Sequence, residues 1–108
     1  MYILVGAKGD SLGNKVYGML KNSHPDKDII AVDRIDFDAR HESQVDDYFR
    51  DQYYLQNQID GVVDFVGIMR TGTLEIEESY HLEETFRTNA VSLFNIAKAL
   101  FPIYQEQK

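Results

Sequence analysis

The chain has 108 residues, of which 44% are hydrophobic and 27% charged, enough for one soluble domain with a modest core. Its net charge of −7 and 11 scattered basic residues exclude a general nucleic-acid binder, which needs clustered cations to neutralise phosphates. The lack of cysteine excludes disulfides, iron–sulfur clusters and thiol catalysis, and no apolar run approaches the ~20 residues of a membrane span. With no signal peptide ahead of the first apolar run, a cytoplasmic protein without nucleic-acid or membrane partners is expected.

Tyr2-Ile3-Leu4-Val5 is a short continuous apolar run, the pattern of a strand buried on both faces. Gly6, Gly9 and Gly13 follow, and then Leu12, Val16, Met19 and Leu20 recur at helical spacing. Asn22 to Asp26 is turn chemistry, with Pro25 forbidding continuation of the helix. Asp28 to Asp33 predicts a second buried strand, and Arg34 to Ala39 a third, very short one. Ser43 to about Gln56 predicts a helix through Val45, Tyr48, Phe49 and Gln52. Ile59 to Gly67 is another apolar strand closing on a glycine, and Met69 to Glu78 reads as loop. From Glu78 to about Tyr104, Leu82, Phe86, Leu93, Ile96, Ala97 and Leu100 form one long helical stripe. Strands alternating with helices, without a linker or repeat, predict a single α/β domain over 1–108. Continuous apolar strands predict a three-layer arrangement, a parallel sheet covered by helices.

In such sheets ligands bind at the carboxyl ends of the strands, where Gly6, Asp33 and Gly67 fall. A glycine-rich turn between first strand and first helix suits a dinucleotide pyrophosphate. Glycines allow close approach, and the helix start supplies N–H donors and partial positive charge. The spacing, G-x-x-G-x-x-x-G, is one residue longer than G-x-x-G-x-x-G, and an ordinary strand–helix turn is the alternative reading. Asp33 ends the second strand, 20 residues after Gly13, where a carboxylate can accept both ribose hydroxyls. Such an acid repels a 2′-phosphate, so NAD is expected over NADP, with Arg34 able to soften that preference. A surface Asp–Arg pair is the alternative. His24, His41 and His81 share no ligand spacing, so no metal site is expected. Glu75, Glu77, Glu78, Glu83 and Glu84 read as a solvated loop and first helical turn.

"VGAKGDSLGNKV", "IIAVDR", "DFDARHESQVDDYF", "IDGVVDFVGI" and "EETFRTNAVSLFNIAKALFP" follow one another along nearly the whole chain. In that order they resemble the N-terminal part of the short-chain dehydrogenase/reductase family. The resemblance implies a Rossmann-like sheet of strand order 3-2-1-4, incomplete relative to the full fold. It implies a phosphate loop carrying Gly6, Lys8, Gly9, Asp10, Ser11, Leu12 and Gly13. Asp33 and Arg34 would meet the ribose, and Asp38, with Asp36 a near rival, the adenine. Phe65, Val66 and Gly67 stand where the family has N-N-A-G, and Asn89 matches its helix asparagine, a catalytic residue there. The sequence departs from the pattern in the longer phosphate loop, in Asp64-Phe65-Val66-Gly67, and in the five residues between Asp33 and Asp38. The family's catalytic Ser and its Y-x-x-x-K lie beyond the long helix. The same spacing from Tyr17 to Lys21 falls on the first helix, the wrong place for that role. The resemblance therefore implies the NAD(P)-binding part of an oxidoreductase that does not turn over alone. The alternative is a non-catalytic nucleotide-binding or structural module. The family's long helix also joins subunits, so a homo-oligomer is expected, with Val91, Phe94 and Leu100 in contacts a monomer cannot supply.

Overall fold

The computed structural model describes residues 1–56, 58–68 and 78–107, and in it β1 (Tyr2–Val5) is the middle strand of a parallel sheet. β2 (Ile29–Val32) flanks it on one side and β3 (Gly61–Asp64) on the other, giving the order β2-β1-β3. The registers are in step: Val5 lies opposite Val32 and opposite Asp64, so all three strands end at one level. The candidate site forms along that common edge.

Each face of β1 buries a different set. Ile3 and Val5 join Val32 in the larger core, beneath α2 (Glu42–Gln56) and α4 (Ser92–Gln107). Leu4 faces the other way, with Ala7 and Ile29, beneath Val16, Tyr17 and Leu20 of α1 (Leu12–Ser23). This two-sided burial is why the strands are continuous apolar runs rather than alternating ones. Phe49, fully buried on α2, contributes roughly 1.5–3 kcal/mol by leaving water. α1 covers its face thinly. Leu12 and Met19, expected inward by helical spacing, are exposed, because only the Val16–Tyr17–Leu20 side meets the sheet.

Two expectations are corrected. The short third strand over 34–39 does not form, so the expected order 3-2-1-4 reduces to three strands, and the expected fourth strand is β3. The reason is local. Asp33 Oδ1 accepts the Ile35 N–H, Asp36 Oδ2 accepts the Asp33 N–H, and the Asp36 and Phe37 N–H groups return to the Asp33 carbonyl. Side chains and a turn take the hydrogen bonds that a ladder would need. The turn also delivers Phe37 to the core, where its ring packs against Tyr48 at 4.5 Å and Phe49 at 5.6 Å. Secondly, Leu100, expected to need a partner chain, is already buried in the larger core.

The last helical run is not uniform. α3 (Ser79–Phe86) passes into α4 through a π-turn at Arg87–Val91. One extra residue in a turn rotates the rest of the helix by about 100° relative to an unbroken one. Thr88, Ser92, Asn95, Ile96 and Ala99 then face inward. Ser92 Oγ donates to the Thr88 carbonyl and Asn95 Nδ2 to the Ala39 carbonyl, at 3.0 Å in the latter case. Expectations for the 69–77 loop, including Glu75 and Glu77, lie outside the described residues. Among the described residues no helix is long and apolar enough to cross a membrane.

Candidate functional site

The loop after β1 turns on glycine. Gly6 has φ +77° and Gly9 φ +72°, left-handed conformations that a side chain disfavours. A Cβ on Gly6 would stand 3.2 Å from the backbone of Phe65 and Val66. Gly13 has ordinary backbone but no space: a Cβ there would lie 2.7 Å from the Gly6 carbonyl oxygen and 2.9 Å from Ala7 Cα. The three glycines therefore do different work. Gly6 makes the turn, Gly9 leaves open backbone with nothing within 4 Å, and Gly13 lets α1 close onto the loop. Ser11 caps α1 by accepting the Asn14 N–H at 3.1 Å, and Asn14 Nδ2 donates to the Ala7 carbonyl at 3.1 Å. The start of α1 thus points its free donors at the level where the strands end.

Opposite this loop, a cleft of about 360 Å³ opens along the common strand edge. Gly6 and Ser11 line one side, and Asp33, Arg34 and Asp38 another. Phe65, Val66 and Gly67 line the third, on the segment leaving β3. The structure thus brings together eight of the residues singled out from the sequence. Gly9 and Asp10 stay on the exposed outer part of the loop, Leu12 is exposed at the start of α1, and Gly13 lies buried beneath the loop. Lys8 crosses to the turn after β2, where Nζ meets Asp36 Oδ2 at 2.8 Å.

The carboxylates of the site differ in state. Arg40 binds Asp38 with both arms, Nε to Oδ1 at 3.0 Å and Nη2 to Oδ2 at 2.7 Å, which holds the Asp38 pKa down at about 2. Burial raises the Asp64 pKa from its ordinary value, although its Oδ1 accepts the Val66 N–H at 2.8 Å. Burial also works against ionised Asp36, yet the Lys8 ammonium and the Asp33 N–H prevail and keep its pKa low. Asp36 in turn raises Lys8, so that pair stays charged at neutral pH.

Asn89 stands in the π-turn and reaches the exit of β3. Its Oδ1 accepts the Ile68 N–H at 2.7 Å and its Nδ2 donates to the Ile68 carbonyl at 2.8 Å. It fixes the wall of the cleft without being one of its lining residues. Sequence reasoning missed Phe37, Arg40, Glu84 and Thr88, which also line the cleft. Arg40 had a readable signal, an Asp two residues before it; the others are placed only by packing. A second Y-x-x-x-K spacing, Tyr104 to Lys108, also passed unread. Tyr104 sits near the end of α4, where burial and the charge of Asp60 raise its pKa. Asp60 precedes β3, so this tyrosine is at the strand entries, the end of the sheet away from the cleft, and Lys108 lies outside the described residues. Among the described residues no group of three or more His, Asp or Glu could hold a metal ion.

No protein-family model and no curated protein matches the sequence. Solved structures do match its fold. An aldohexose dehydrogenase of Thermoplasma acidophilum superposes with a TM-score of 0.77 at 14% identity, over 94% of this chain and 43% of that one. A short-chain dehydrogenase of Mycobacterium smegmatis gives 0.73 at 12% identity, over 97% of this chain and 52% of that one. ElxO, solved with NADP bound, gives 0.75 at 17% identity, over 97% and 50%. The chain thus carries a Rossmann-type portion with the fold found in short-chain dehydrogenases, and spans about half the length of these structures.

Proposed function

We propose that these 108 residues are the NAD-binding portion of an oxidoreductase of the short-chain dehydrogenase/reductase type. The observation that carries this reading is the glycine loop: two positive-φ glycines and a third pressed under the loop, aimed at a capped helix start. Open backbone at Gly9 suits a pyrophosphate, which no side chain there would obstruct. Asp33, at the end of β2, would accept the ribose hydroxyls, Asp38 would face the adenine, and Phe65 to Gly67 would line the path towards the nicotinamide. When bound, the nicotinamide accepts or gives up a hydride. The residues here bind and orient; Asn89 positions the cleft wall at Ile68. Turnover of a substrate is assigned to residues outside these 108, in a cytoplasmic protein.

The same reading includes self-association. Phe86, Phe94 and Phe101 are each more than 60% exposed on a helical run whose other face is buried in the core. A second copy of the chain would cover them.

Calorimetric titration with NAD and NADH tests the cofactor reading. Binding should weaken about tenfold to a hundredfold in Asp33→Ala, the effect of losing charged hydrogen bonds. Absence of binding to any dinucleotide at millimolar concentration would overturn it.

A further inference from the structure

Around Asp33, at the rim of the cleft, three cations and three carboxylates stand together, and their pairing bears on which dinucleotide fits. Lys8 Nζ lies 2.8 Å from Asp36 Oδ2, and the same oxygen accepts the Asp33 N–H at 2.9 Å. One carboxylate thereby ties the glycine loop to the turn that carries the ribose-facing acid. The Asp33 charge acts on Lys8 as well, so Lys8 lies within electrostatic reach of that acid. Arg34 is highly exposed, and its Nε lies 3.9 Å from Asp38 Oδ2. That carboxylate is itself held by Arg40.

We infer that Asp36 is a specificity-determining residue, which rejects a 2′-phosphorylated dinucleotide by keeping Lys8 paired with itself. The inference rests on the proposed dinucleotide site. A 2′-phosphate brings a charge of about −1.5 to −2 to a corner that already holds Asp33 and Asp36. Lys8, the cation of the glycine loop, could meet it only by leaving Asp36. Asp36 would then stand unpaired beside Asp33 and the phosphate, three like charges in one corner. A free 2′-hydroxyl requires no exchange of partners. Discrimination is therefore divided between two acids: Asp33 repels the phosphate directly, and Asp36 withholds the cation that would answer it. Asp36 lies three residues beyond the position at which a dinucleotide fold is usually inspected for this preference.

Asp36→Asn tests the inference, because its side-chain oxygen can still accept the Asp33 N–H while the charge on Lys8 is released. The measurement is the ratio of NADP to NAD dissociation constants in the full 108-residue chain. The ratio should fall about tenfold in Asp36→Asn, the scale of one charge-assisted contact, and return when Lys8→Ala is added. An unchanged ratio with NAD still bound would overturn the role of Asp36 and leave the cofactor reading intact. A gain that survives Lys8→Ala would also overturn it, by assigning the phosphate to Arg34. Failure of the parent chain to bind either dinucleotide would overturn the cofactor reading, and this inference with it. A second readout needs no ligand: the Lys8 ammonium, followed by NMR, should titrate at lower pH in Asp36→Asn, and no movement would break the pairing itself.

Discussion

Asp38 carries an unusual load for an exposed turn. It accepts the Arg40 backbone N–H at 3.0 Å and both arms of its guanidinium, while His41 Nε2 lies 3.6 Å away. Its own N–H donates to Gln44 at 2.9 Å, so the residue joins the turn after β2 to the first turn of α2. Its pKa in the fold, about 2, lies below the ordinary 3.8. A carboxylate lowered in this way stabilises the fold while it is ionised in both states. That contribution is complete above the unfolded value and fades as pH falls through about 4 towards 2. Asp38→Asn should therefore lower the urea midpoint near pH 7 and converge on the parent chain near pH 2. Equilibrium unfolding across that range checks the sign. A variant defect that grows with acid would contradict it.

At the scale of elements, the π-turn explains an expensive residue. Asparagine is a poor choice within a helix, yet Asn89 supplies Ile68 with a donor and an acceptor at once, as a neighbouring strand would. Asn89→Ala should cost about 0.5–1.5 kcal/mol, since the two exposed Ile68 groups would turn to water, and should speed hydrogen exchange at the Ile68 amide before that of β1. The strands and helices were legible because their apolar periods are set by burial on one face or two. The segment 34–39 was not, since Ile35 and Phe37 alternate with acids as a strand would. Its fate was decided by which carboxylate reached which N–H. The π-turn was hidden for a related reason: a slip of one residue depends on what Thr88, Ser92 and Asn95 find inside. In the site, the glycines and Asp33 could be read from spacing. The Lys8–Asp36 pair, 28 residues apart, could not, because it exists only once β1 and β2 lie side by side.

For the whole molecule, the balance of surface and core favours company. Phe94 and Phe101 remain 62% and 64% exposed on α4, whose opposite face is already buried in the core. Large rings left exposed beside a face that is already buried mark a contact surface. Sedimentation equilibrium should show the parent chain self-associating, and Phe94→Glu with Phe101→Glu should shift it to monomer. Folding stability should change by no more than about 0.5 kcal/mol, since neither ring is packed within one copy. A parent chain that is monomeric throughout would remove the self-association reading.

The anchoring of β3 also gives the chain an order of assembly. Asn89 grips the exit of this strand, and Gln107 grips its entry through the Ile59 N–H and carbonyl at 2.6 and 3.0 Å. Both grips belong to residues that a ribosome adds after the strand itself. β1, made before both of its neighbours, becomes the middle strand, and it must wait 27 residues for the first of them and 59 for the second. The sheet is therefore closed from its centre outwards, and α4, made after all three strands, locks the side that β3 adds.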